Sequence, residues 1–138
     1  MSNSKVNVER YNPDTVYGSP ALSKLITVEG GKLVQTSGMT AMDLDWKLVG
    51  KGDLKAQAAK VYDNIRLSLE AVGATPSDVI MQRIYVVNIK PDDRPIVQEA
   101  MKNFYGDGLR PNSALVGVSG LAMDGMLIEI DVTAAIDA

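Results

Sequence analysis

The segment Leu127-Ile128-Glu129-Ile130-Asp131-Val132-Thr133-Ala134-Ala135 constrains this chain most. Ile128, Ile130 and Val132 alternate with Leu127, Glu129 and Asp131, and a period of two marks a β-strand whose faces meet different surroundings. One face turns to a core. The other sets two carboxylates on an otherwise apolar strand, so it requires water or a partner, in a solvent-filled cleft or at a subunit interface. Upstream, Asn112-Ser113-Ala114-Leu115-Val116-Gly117-Val118 reads as another strand. Asp124-Gly125 supplies the positive-φ position of a tight turn between them, and a hairpin is expected.

Two absences restrict the chemistry. The chain has no His and no Cys, which removes the commonest acid-base residue, the commonest metal ligand and every thiol nucleophile. A zinc site, a Ser-His-Asp triad and a histidine-based ribonuclease are excluded on that ground, and neither a metal nor a cofactor is expected. Acidic residues outnumber Lys and Arg by 17 to 14, and no basic cluster is present to neutralise phosphates, so nucleic acid is not an expected partner. No apolar run is long enough to span a bilayer, and the polar start Met1-Ser2-Asn3-Ser4-Lys5 lacks the apolar stretch of a secretory signal. A cytoplasmic location with no membrane partner is the expectation.

The 138 residues fit a single domain over 1–138. Residues 1–20, with Asn12-Pro13-Asp14 and Ser19-Pro20, read as a loose polar arm. Leu22 to Val28 and Lys32 to Ser37 follow as strands joined at Glu29-Gly30-Gly31, a two-glycine hairpin turn. Asp53 is placed to cap a helix with Leu54, Ala58, Val61, Ile65, Leu69 and Val72 on one stripe, ended by Gly73. Burying each large side chain on that stripe contributes about 1.5–3 kcal/mol, so this helix should anchor the core. Val79 to Ile89 reads as a long strand. A second helix opens at Asp92-Asp93, tolerates Pro95 in its first turn, buries Ile96, Val97, Ala100, Met101 and Phe104, and closes at Gly106. The order is β-β-α-β-α-β-β, an α+β fold with one mixed sheet and both helices on one face. The other sheet face is then left bare, and self-association is the economical way to cover it.

Four local motifs add to this order: Thr36-Ser37-Gly38 closing a strand, Asp63-Asn64-Ile65 with Leu69-Glu70-Ala71-Val72-Gly73-Ala74 on the helix, the strand Tyr85-Val86-Val87, and Arg110-Pro111 with Leu127-Ile128-Glu129-Ile130. Together they make the chain, over roughly residues 22 to 136, similar to the RidA/YjgF group of small proteins. The resemblance implies a chorismate-mutase-like α+β fold and a homotrimer with ligand clefts between adjacent subunits. In the active branch those clefts hydrolyse 2-imino or enamine acids to 2-keto acids and ammonia. It assigns Glu129 to the water-handling glutamate, Ser37 to the cleft serine and Gln98 to a position where asparagine often sits. The substrate-binding arginine of the active branch falls at Ser113, and its cleft cysteine at Leu115.

Exchanging a guanidinium, with charge-assisted bonds of roughly 1.5–3 kcal/mol each, for one neutral hydroxyl bond of about 1 weakens transition-state binding of an imino acid by about ten- to several-hundred-fold. Two functions from different classes are therefore expected to compete. One is a trimer that binds a small metabolite and hydrolyses an imine, enamine or related bond, with Glu129 handling water and Ser37, Gln98, Arg110, Ser113, Ala114 and Leu115 around the ligand. The other is a non-catalytic trimeric binding or scaffold protein. Each residue also has a plainer role: Glu129 as an interface carboxylate, Ser37 as a turn cap, Gln98 as a solvated residue, Arg110 in a salt bridge, and Asp131 as the partner of a cross-strand cation.

Overall fold

The computed structural model describes residues 4–19, 22–108 and 110–138. Its elements are β1 (Asn7–Tyr11), β2 (Leu25–Glu29), β3 (Lys32–Gln35), α1 (Leu54–Glu70), β4 (Val79–Val87), α2 (Asp93–Tyr105), β5 (Asn112–Val118) and β6 (Ile128–Ile136), with a short 3-10 turn at Pro76–Asp78. A four-stranded mixed sheet runs in the order β3-β6-β4-β5, and β1 and β2 form a separate ribbon. Both helices pack on one face of the larger sheet, the α+β arrangement expected.

α1 forms where the stripe places it. The Asp53 carboxylate accepts the Ala56 amide at 3.1 Å as an N-cap. At the other end the Ala74 amide donates to the Leu69 carbonyl and Gly73, at φ +76°, takes the left-handed turn, the geometry that glycine permits at a helix C-terminus. Ala58, Val61, Ile65 and Leu69 are fully buried, whereas Val72 lies beyond the helix and is exposed. These side chains meet Ile84 and Val86 of β4 and Ile128, Ile130 and Val132 of β6, also buried. The alternation read in the last strand therefore holds.

Four expectations are corrected. β5 and β6 do not form a hairpin: β5 runs parallel to β4 on one side, and β6 runs antiparallel to β4 on the other. Residues 119–127 are long enough to step across the end of β4, and the Gly125 turn, φ +87°, lies inside that crossing. Likewise β2 and β3 separate, β2 pairing with β1 and β3 with β6. Gly30 and Gly31, both at positive φ, carry the chain from one sheet to the other. A Cβ on Gly31 would come within 2.7 Å of the Val6 Cβ, so the crossing also depends on close approach.

The third correction concerns the arm, which contains β1 in register with β2 from Asn7↔Glu29 to Tyr11↔Leu25; Pro20 of the expected loop lies outside the described residues. Arg10 fastens this ribbon to the domain, donating to the carbonyls of Arg110 and Val79, and burial lowers its pKa from the usual guanidinium value. Finally, strand limits shift: β2 begins at Leu25, β3 ends at Gln35, and β4 stops at Val87, where Asn88 turns to φ +48°.

The sheet face opposite the helices is defined by register. Val116, Tyr85 and Glu129 stand in one row across β5, β4 and β6, and Ala114, Arg83 and Asp131 in the next. Leu33 and Val116, on the two outer strands of this face, are 64% and 40% exposed, with Arg83, Tyr85, Glu129 and Asp131 between them.

Candidate active site

The site grows from a fault in strand pairing. Beyond β3 the chain keeps to β6, the Thr36 amide donating to the Val132 carbonyl at 3.0 Å and Met39 exchanging two bonds with Ile130 at 2.8 and 3.0 Å. Between those contacts the register advances by one residue, so Ser37 and Gly38 form a bulge beside Asp131 and Glu129. Bulges re-aim side chains and interrupt pairing. Here the bulge receives an acid: a Cβ on Gly38 would lie 2.8 Å from the carboxylate carbon of Glu129, and closer still to Oε2. Ser37 stands exposed beside it.

On its other side Glu129 faces Tyr85 across β4. Its neighbour Asp131 has a separate task. Arg83 Nε donates to Asp131 Oδ1 at 3.0 Å, a cross-strand ion pair that raises the Arg83 pKa, chiefly through that hydrogen bond. The cross-strand cation expected for Asp131 is Arg83. Glu129 is half-buried. A groove of about 310 Å³ starts at Gly38 and runs between Met42, Trp46 and Asn64. Its loop is held by Asn64, whose side-chain amide donates to the carbonyls of Thr40 and Met42, each at 3.0 Å.

The remaining expected residues lie elsewhere in the chain. Ser113, Ala114 and Leu115 are on β5, and β4 separates that strand from β6 and Glu129, a span of roughly 10 Å at ordinary strand spacing. Since β5 is an edge strand, half of its backbone amides and carbonyls face outward. Arg110 turns toward α2, donating to the Met101 carbonyl at 3.3 Å with its guanidinium 5.9 Å from the Tyr105 ring centre. Gln98 lies on the exposed side of α2. Within one chain, then, Ser37, Gly38 and Glu129 come together, while Gln98, Arg110, Ser113, Ala114 and Leu115 do not join them.

Two buried glutamines were missed by the sequence reading. Gln57 donates to the carbonyls of Gly50 and Gly125 and accepts the Leu127 amide, tying both turns to the start of β6. Gln82 accepts the hydroxyls of Tyr62 and Tyr105 at 2.8 and 2.7 Å and donates to Ser113 Oγ at 3.1 Å. A signal was present for Gln82, a lone amide in phase with Ile84 and Val86 on the core side of β4. Gln57 offered none beyond its place next to Ala58 on the buried stripe.

The comparisons bear on the family and the fold. The family model described as Endoribonuclease L-PSP matches residues 20–136. The crystal structure of YyfB from Yersinia pestis, described as a protein of unknown function of the conserved Rid protein family, superposes with a TM-score of 0.89. It is 33% identical and the match covers 94% of this chain and 99% of that one. A RutC family protein of Pyrococcus horikoshii is 31% identical over 107 residues, covering 78% of this chain and 82% of its own length. A 2-iminobutanoate/2-iminopropanoate deaminase of Dermatophagoides farinae is 30% identical over 94 residues, covering 68% and 71%. Matched over most of its length by that family model, and sharing the fold of a Rid protein, the chain belongs to the endoribonuclease L-PSP family, the RidA/YjgF group.

Proposed function

We propose that the protein assembles as a homotrimer, binds a small metabolite in clefts between neighbouring copies, and hydrolyses a carbon–nitrogen double bond there. The observation that carries this reading is the seating of the Glu129 carboxylate against Gly38 on a sheet face that also exposes Leu33 and Val116. A second copy covering that face would bury Leu33 and Val116, enclose the acid and bring an edge strand such as β5 to it. The relative named a 2-iminobutanoate/2-iminopropanoate deaminase supports the reaction class.

In this reading Glu129 orients a water molecule and takes its proton as the oxygen adds to the imine carbon. The nitrogen gains protons, the carbon–nitrogen bond breaks, and ammonia leaves with a ketone behind it. Ser37 and an outward backbone amide of β5 near Ala114 and Leu115 hold the ligand in place. Arg110 and Gln98 lie outside this set in one chain and would reach a ligand only from a neighbouring copy.

Ammonia release from 2-iminobutanoate and 2-iminobutanamide, each generated in situ, tests the proposal. The account expects hydrolysis by the wild type and a loss of about 100-fold or more in Glu129→Gln. Equal turnover by the two removes the role of Glu129. A wild type inert toward both imines favours the alternative, a non-catalytic trimeric binding or scaffold protein, which the serine at position 113 also supports.

A further inference from the structure

The loop between β3 and α1 holds apolar side chains out in water, at a cost in stability. Asp43 to Lys47 form a tight turn. The Asp43 amide donates to the Lys47 carbonyl at 2.9 Å and the Trp46 amide to the Asp43 carbonyl at 3.1 Å, while the Asp43 carboxylate accepts the Asp45 and Lys47 amides at 2.9 and 3.0 Å. Asn64 fixes the same loop from α1 through the carbonyls of Thr40 and Met42. At its tip Leu44 is fully exposed and Trp46 is 76% exposed. Trp46 also stands at φ +59°, the left-handed region that suits glycine and strains a bulky residue. Strain of this kind is kept where a position serves something besides stability.

What Trp46 borders gives that purpose. It lines the groove of about 310 Å³ together with Met39, Met42, Leu44 and Gly38. Gly38 belongs to the groove and to the acid at once, since the place of its absent Cβ lies 2.8 Å from the Glu129 carboxylate carbon. A ligand whose reacting carbon sits beside Glu129 can therefore lay one substituent along the groove. Asp43, the one charged residue of the lining, is engaged by its own loop. The hydrogen bond from the Lys47 amide, with the charges of Lys47 and Lys60 beside it, holds its carboxyl below the usual carboxylate range. What the groove offers a substituent is thus an indole and two thioethers. Both favour an aromatic ring over a small alkyl group, through stacking and sulfur–ring contacts.

We infer that this groove is the side-chain subsite of the Glu129 cleft, and that Trp46 selects substrates bearing an aromatic side chain next to the carbon–nitrogen double bond. The inference rests on the reading above and narrows its substrate class.

Trp46 is the only tryptophan of the chain, so its fluorescence reports occupancy of the groove. The full chain is titrated with 3-phenyllactate and with lactate, affinities being read by ligand-observed NMR and tryptophan emission followed in the wild type. The wild type should bind phenyllactate about tenfold more tightly, with a change of emission on phenyllactate alone. Trp46→Phe keeps a ring and should keep most of that preference. Trp46→Gly should lose it yet melt no lower than the wild type, because glycine relieves the backbone at this position. Equal binding of the two probes, binding of neither, an unmoved emission, or a preference that survives Trp46→Gly overturns the inference. So does a fall in sedimenting mass in Trp46→Gly, which would assign the loop to a contact between copies. Hydrolysis of 2-imino-3-phenylpropanoate and 2-iminobutanoate by the same samples separates the two claims. Turnover without the aromatic preference defeats the selectivity alone, and the binding preference without turnover defeats the proposed reaction alone.

Discussion

The carboxylate of Glu129 occupies the space that a side chain at position 38 would need. Gly38 is not held at positive φ, so alanine fits its backbone and would act only through crowding. Gly38→Ala should leave the circular dichroism spectrum unchanged and reduce imine turnover by about 100-fold, the cost of moving a catalytic group by about an ångström. Turnover equal to wild type would show that the packing of Glu129 against residue 38 has no part in the chemistry.

Glu129 and Asp131 share a face, yet only Asp131 is engaged by a cation. Asp131→Asn removes the charge that holds Arg83 and leaves the Gly38 contact intact. Its kcat/KM on an imine should stay within about twofold of wild type, since asparagine keeps an acceptor for Arg83 and an ion pair open to water on its arginine side contributes little. A loss as large as that of Glu129→Gln would make the two acids a functional pair.

Gln57 serves three backbone groups at once, the carbonyls of Gly50 and Gly125 and the amide of Leu127. Replacement by leucine keeps the volume and orphans the Gly125 carbonyl and the Leu127 amide, while the Gly50 carbonyl keeps the Asp53 amide. Urea unfolding should show a loss of about 2 kcal/mol, because each buried group left without a partner costs on the order of 1 kcal/mol or more. An unchanged midpoint would mean that water takes over these bonds.

The buried phenols of Tyr62 and Tyr105 have pKa values raised by burial above their usual 10.0. A raised folded-state pKa means that the native state holds these protons more tightly than the unfolded chain. Their contribution to stability is complete below pH 10 and declines as pH rises from there through the folded-state pKa. Thermal melts of the wild type should therefore fall in Tm above pH 10, and Tyr62→Phe with Tyr105→Phe should flatten that fall. Identical alkaline slopes would contradict the assignment.

What could be read from the sequence was whatever depends on a local period. The α1 stripe, the Asp53 cap, the Gly73 stop and the in-out alternation around Glu129 all follow from neighbours three, four or two residues apart. Pairing partners did not follow. Asp124-Gly125 makes a turn, but nine residues separate β5 from β6, enough to straddle β4, and nothing local reports that crossing. β1 was hidden because its alternating side chains include Arg10, whose burial depends on carbonyls 69 and 100 residues away. In the site, Ser37 and Glu129 were found through family motifs. Their meeting at a bulge depends on a one-residue change of register that only the folded chain displays.

The account depends above all on copies of the chain closing over the sheet face that carries Glu129, Tyr85 and Val116. Sedimentation equilibrium of the wild type at micromolar concentration measures that directly. A single species with the mass of three chains is the predicted result. A species with the mass of one chain would leave Glu129 on an open surface with no cleft around it, and would contradict the proposed site.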